Sequence, residues 1–171
     1  MSIRPLQADD EPQVRQWLAA YLAEHRGWWA QGYGREPTAD LTGLVERDWH
    51  ELEQGSHSNK NLVAVLELDG LDGRGQAAGI VRAGLRTDRI QGFVIGVLQW
   101  IYVAPGQRGQ GRADHLMTYA LAWMDAQEVS GREVFVTARN PAAVALYRRH
   151  GFEVADYRML ARGGSADPDK S

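Results

Sequence analysis

Apolar residues change their period of recurrence several times along the chain, and each change marks an element. Residues 2–7 read as a short first strand, closed by the turn-forming run Gln7-Ala8-Asp9-Asp10. With Asp9 or Asp10 as cap, Val14, Trp17, Leu18, Tyr21 and Leu22 fall at i, i+3, i+4, i+7 and i+8, one face of a first helix. The Gly- and aromatic-rich stretch 25–40 reads as a loop. Leu41, Leu44, Val45, Trp49 and Leu52 then share a face of a second helix, stopped at Gly55.

The period next shortens to that of strands. Residues 61–68 and 77–87, joined by the turn 69–76, suggest a hairpin. Residues 92–103 are almost continuously apolar, as expected of a strand buried on both faces. Ala113, Leu116, Met117, Ala120, Leu121 and Met124 form the stripe of a third helix, ended by Ser130-Gly131. A short strand over 133–138, a helix over 140–150 stopped by Gly151, and a closing strand over 152–162 complete the pattern, and 163–171 has the composition of a flexible tail. The expected order is β-α-α-β-β-β-α-β-α-β, with neither repeat nor linker. Residues 1–162 thus form one α/β (α+β) domain whose mixed sheet is antiparallel first and then crosses over through covering helices.

Composition narrows the chemistry. A chain of 171 residues with 44% hydrophobic and 24% charged residues can bury a substantial core. No apolar run is long enough to span a membrane and the N-terminus lacks the core of a secretory signal, so a cytoplasmic protein is expected. The chain has no cysteine, which excludes disulfides, thiolate metal ligands and a covalent cysteine intermediate. Its five histidines show no metal-binding spacing, so no metal is expected. A net charge of −3 argues against nucleic-acid binding. Residues 1–85 hold 8 basic and 13 acidic side chains and residues 86–171 hold 11 and 9, an imbalance consistent with chance or with halves facing ligands of opposite sign.

Between the strand 92–103 and the third helix lies Arg108-Gly109-Gln110-Gly111-Arg112-Ala113. A helix N-terminus carries unpaired N–H groups and partial positive charge, and glycines there let the backbone approach an anion without an intervening Cβ. A phosphate-bearing ligand is the natural guess. A P-loop would need Lys and Ser/Thr after the glycines, and a dinucleotide fingerprint would need glycine where Asp114 stands; neither fits. The pattern [RQ]-x-x-G-x-[GA] does fit, through Arg108, Gly111 and Ala113. Independently, Asn140 opens a helix with Ala143 three residues on, Tyr147 seven on, and Gly151-Phe152 at its end, so that Asn140 and Tyr147 share a face.

These two motifs resemble the signatures of the GNAT (GCN5-related) N-acetyltransferases, and the resemblance runs along nearly the whole chain. It implies a sheet whose central strands splay apart and an acetyl-CoA cosubstrate entering the gap. The amides of Arg108, Gly109, Gln110, Gly111, Arg112 and Ala113 would cradle its pyrophosphate. The backbone of Ile101 and Val103, with Asn140, would hold the pantetheine arm. The implied reaction is direct acetyl transfer to a primary amine of a small molecule or peptide. Tyr147 would be the general acid, since a phenol near pKa ~10 can protonate a thiolate whose thiol lies near ~8.5; a buried structural tyrosine is the competing reading. A homodimer is a family habit.

The chain departs from the family in one respect: residues 92–103 contain no Asp, Glu or His to act as base. Asp88, His50, His57 and Glu67, or a water held by the backbone and Gln99, are the candidates. The first two helices and their connection would wall the acceptor site. Trp28, Trp29, Tyr33 and Trp49 lie there, and residues 24–53 carry seven acids against three Lys or Arg, which suits a cationic amine; Trp49 fits helix core equally well. A catalytically silent acyl-CoA-binding or regulatory module is the alternative, which the missing strand carboxylate favours and the Asn140/Tyr147 pair disfavours.

Overall fold

The computed structural model describes residues 1–70 and 75–160. The tip of the expected turn, 71–74, the last two residues of the expected closing strand, 161–162, and the expected tail, 163–171, lie outside the described residues. Five strands form one sheet in the order β1-β2-β3-β4-β5, with β1 at Ser2–Pro5, β2 at Asn61–Asp69, β3 at Gly75–Thr87, β4 at Val94–Val103 and β5 at Gly131–Val134. Pairing is antiparallel from β1 to β4, and β4 and β5 are parallel. Helices α1 (Glu11–Tyr33) and α2 (Leu41–Ser56) cover one face, and α3 (Arg112–Ala126) and α4 (Pro141–Arg149) the other.

The two faces have separate cores. Val14, Trp17 and Leu18 of α1 and Val45, Trp49 and Leu52 of α2 pack on Val63, Val65, Ile80, Trp100 and Tyr102. Leu116, Met117, Ala120 and Met124 of α3 and Leu146 and Tyr147 of α4 pack on Leu66, Val81, Ala83, Leu98 and Val103. Leu98 and Trp100 thus face opposite sides although strict alternation would put them together. The register explains it: Arg82 pairs with Trp100 but Ala83 with Leu98, which leaves Gln99 as the extra residue of a β-bulge.

Three expectations need correction. The segment 25–40 is not a loop throughout, because α1 continues to Tyr33 and ends on Gly34 in the left-handed conformation, its N–H donating to the Ala30 carbonyl. Glycines 27 and 32 weaken that helix without breaking it, since between Pro12 in its first turn and Pro37 no proline removes a backbone donor. The strand expected at 133–138 ends at Val134, and Phe135 stands 87% exposed outside the sheet. Residues 152–160 form no strand, so the expected order loses its final β within the described residues. Val154, Tyr157 and Met159 are exposed there, and the segment finds no partner strand.

Candidate active site

The pairing of β4 with β5 runs from Ile95 opposite Gly131 to Leu98 opposite Val134 and then stops. Beyond that point the strands diverge, as the splay expectation required, around a groove of about 530 Å³. Its walls are Gln99–Val103 of β4, residues 134–137, α4, the glycine loop, and Tyr21, Glu24 and His25 of α1. In an antiparallel pair the backbone groups of alternate residues point toward the partner. The Ala104 N–H donates to the Ala78 carbonyl on the β3 side. Ile101 and Val103, out of phase with Ala104, therefore turn their polar groups toward the groove. One of these is already engaged: Arg108 Nε donates to the Val103 carbonyl at 3.0 Å, with the guanidinium over the Tyr102 ring.

The glycine loop follows a short turn at Pro105–Gln107. Gly109 (φ 75°) and Gly111 (φ 71°) are both left-handed, a conformation that side chains resist. Gly111 is the N-cap of α3, and the first intrahelical bond runs from the His115 N–H to its carbonyl. The N–H groups of Gly109 through Asp114 have no acceptor among the described residues. Six consecutive donors at a helix N-terminus form a ready nest for an anion. Arg112 adds charge: its Nη1 donates to the Gln107 carbonyl while its buried Nε has no partner among the described residues.

Asn140 caps α4, its Oδ1 accepting from the Ala143 N–H at 3.0 Å, which leaves the side-chain NH₂ available to the groove that it lines. Two turns on, Tyr147 is 8% exposed, packs on Phe152 and lines the same groove. Burial, with a smaller contribution from nearby Tyr21, pushes its hydroxyl up to about 12. Asp114 in the first turn of α3 accepts from Arg149 and lies 3.1 Å from His150 Nε2. Burial opposes its ionisation, but Arg149 and His150 together hold its carboxyl below the usual range. That pair of contacts fixes the start of α3 against the end of α4.

None of the four side chains considered as a base lines the groove. Glu67 pairs with Arg4, Asp88 accepts from the Ile90 and Gln91 N–H groups in the β3–β4 turn, His50 bonds Gln54 on the exposed side of α2, and His57 follows that helix. Gln99, named with a backbone-held water, does line it. The structure instead brings in His25, which sequence reading passed over by ending the first helix too early. Had α1 been continued, Trp17, Tyr21, His25 and Trp28 would have fallen on one face. His25 is half-buried between the rings of Tyr21 (4.0 Å) and Trp28 (4.8 Å), with Nδ1 3.1 Å from the Tyr21 carbonyl. The expected aromatic wall divides: Trp28 packs on His25, Trp49 belongs to the core, and Trp29 and Tyr33 border a separate depression at the end of α1.

Comparison with known proteins agrees with this architecture. Residues 18–152 match the Acetyltransferase (GNAT) family. A mycothiol acetyltransferase of Renibacterium salmoninarum is 30% identical over 116 residues, covering 60% of this chain and 33% of that protein. The chain thus spans about a third of the length of that curated relative. Among solved structures, a transcriptional regulator from Bacillus halodurans C-125 superimposes with a TM-score of 0.68 at 17% identity, over 95% of this chain and 99% of that one. Aminoglycoside N-acetyltransferase AAC(6′)-Iy in complex with CoA gives 0.62 at 18% identity, over 96% and 100%. At such identities the structural likeness carries the fold.

Proposed function

The chain belongs to the acetyltransferase (GNAT) family, and on that premise we propose that it transfers the acetyl group of acetyl-CoA directly to a primary amine. The observation that carries this reading is the conjunction, in one groove, of six unpaired N–H groups at the glycine loop with an unpaired strand edge.

The residues present fit the cosubstrate. A Cβ built on Gly109 or Gly111 meets nothing within 4 Å, so no protein atom crowds the loop at either glycine. The N–H groups of Gly109, Gln110, Gly111, Arg112 and Ala113 hold that diphosphate, and Arg108 and Arg112 balance its charge. The free backbone groups of Ile101, the Val103 N–H and the Asn140 NH₂ hydrogen-bond an amide-bearing arm laid along β4 in place of the missing strand. Bound there, the thioester supplies an acetyl group activated toward nitrogen nucleophiles.

Tyr147 gives its phenolic proton to the departing sulfur. Its raised pKa keeps it protonated across the working range, at the expense of some acid strength. The aromatic face of α1, with Glu24 on the rim, receives the acceptor from the side opposite the glycine loop and suits an ammonium-bearing amine. The similarity to a mycothiol acetyltransferase and an aminoglycoside N-acetyltransferase makes small amines the first acceptors to test. The described residues contain no helix long and apolar enough to cross a membrane, and a cytoplasmic setting accords with the use of acetyl-CoA.

Calorimetric titration with acetyl-CoA tests the reading. Saturable binding that is lost with S-acetylpantetheine, which keeps the thioester but lacks the pyrophosphate, supports it, and no binding at millimolar ligand rejects it.

A further inference from the structure

The family assignment leaves one step without a residue: the nitrogen that attacks the thioester must lose a proton, and β4 supplies no side chain to take it. We infer that His25 of α1 is the general base of this protein, with Nε2 as the accepting atom. The inference rests on the acetyltransferase reading and deepens it.

Three observations converge on His25. First, position: it lines the groove that Tyr147 also lines, but on the opposite helix layer, so base and acid approach the reacting centre from different walls. Second, tautomer: the Tyr21 carbonyl 3.1 Å from Nδ1 can only accept, which assigns the ring proton to Nδ1 and leaves a lone pair on Nε2. Third, orientation: the Tyr21 and Trp28 rings clamp the imidazole from two sides, so its direction is set before any substrate arrives. Burial also holds the imidazole below its ordinary range, against the opposing pull of the Tyr21 carbonyl and of Glu24, so it stands neutral at pH 7.

Several charged and titratable groups border this site. Glu24 neighbours His25 on α1, Asp48 of α2 acts on Tyr21, Tyr147 and Arg149 line the groove from α4, Asp114 from the start of α3, and Arg108 and Arg112 from the loop. Glu24 also lines the groove, but it is exposed, with no hydrogen-bond partner among the described residues to fix its direction.

The step balances without a further reactant. The acceptor amine, its ammonium proton already released to solvent, forms a bond from its nitrogen to the acetyl carbonyl carbon, and that nitrogen becomes acidic as it does so. Its proton passes to His25 Nε2. The carbon–sulfur bond breaks, and the Tyr147 hydroxyl protonates the sulfur, giving amide and free thiol. The two side chains are reset by the net passage of one proton from His25 to Tyr147 through solvent.

Two measurements test this. Steady-state kinetics compare wild type with His25→Gln, whose amide can keep the bond to the Tyr21 carbonyl but offers no basic nitrogen. A base of this kind contributes about 100-fold or more. The expected result is a kcat loss of that size, acetyl-CoA affinity unchanged, and disappearance of the low-pH limb of kcat/KM that wild type shows below about pH 6.5. Unaltered kcat in His25→Gln overturns the inference, as does a limb that vanishes in Glu24→Gln instead. The second measurement needs no acceptor: nitrogen-15 NMR of the imidazole at pH 7 is expected to show the neutral Nδ1–H tautomer. An Nε2–H tautomer or a charged ring overturns the inference. Neither of those outcomes touches acetyl-CoA binding, whereas failure to bind acetyl-CoA removes the family reading itself.

Discussion

Arg108 Nε donates to the Val103 carbonyl at 3.0 Å, and so ties the glycine loop to the last residue of β4. The same guanidinium lies 5.4 Å from the Tyr102 ring centroid, which holds the charge beside the six unpaired amides. Arg108→Ala should therefore weaken acetyl-CoA binding twice over, by removing a cation and by loosening the loop. A Kd increase of about 10-fold or more is expected by calorimetry, with the smaller stability loss of about 1 kcal/mol that follows one hydrogen bond. Arg108→Lys keeps the charge without the fork and should fall between the two.

Gly111→Ala separates backbone conformation from space. A Cβ at Gly111 meets nothing within 4 Å, yet its φ of 71° is left-handed. The substitution should destabilise by about 1 kcal/mol, lowering Tm by a few degrees, roughly 2–4 °C. Because relief of that strain would rotate the adjacent amides, acetyl-CoA affinity should fall by more than stability does.

Tyr147→Phe should leave acetyl-CoA affinity intact and lower kcat by about 100-fold, measured by thiol release under saturating substrate. The same variant tests burial. The native hydroxyl titrates near 12, above its ordinary 10, so the folded state holds a proton that the unfolded chain releases first. Stability from this residue is fully present below pH 10 and is lost as pH rises toward 12. Tyr147→Phe should unfold less steeply over that window, as seen in urea titrations at successive pH values.

A stability test lies away from the groove. Arg4 makes two parallel bonds to Asp10, at 2.8 and 2.9 Å, and also bonds Glu67. Asp10 is 6% exposed, so Arg4→Met strands a buried carboxylate and should cost about 3 kcal/mol in urea denaturation. The groove is remote from this pair, and acetyl-CoA affinity of the folded fraction should be unchanged.

Much of this was legible from residue spacing. The Arg108–Ala113 loop and the Asn140/Tyr147 face depend on short-range geometry, which sequence encodes directly. The bulge at Gln99 was not visible, because a single extra residue in one strand is defined by its partner Arg82–Ala83 step rather than by any local signal. His25 was missed for a related reason. Gly27, Gly32 and Gly34 argued for a loop, whereas the helix runs on to Tyr33, with Tyr21 packed beside Trp100 and His25 and Trp28 following on the same face. The closing strand failed differently: Val154, Tyr157 and Met159 supply apolar residues, but a strand also needs an edge to pair with.

The most direct test is thiol release from acetyl-CoA across a panel of amines: aminoglycosides, polyamines, amino acids and peptides with free N-termini. The chain contains no cysteine, so a thiol reagent sees liberated coenzyme A alone. The account predicts release that requires one class of amine and collapses in Tyr147→Phe and His25→Gln. Binding of acetyl-CoA without amine-dependent release from any class would contradict it.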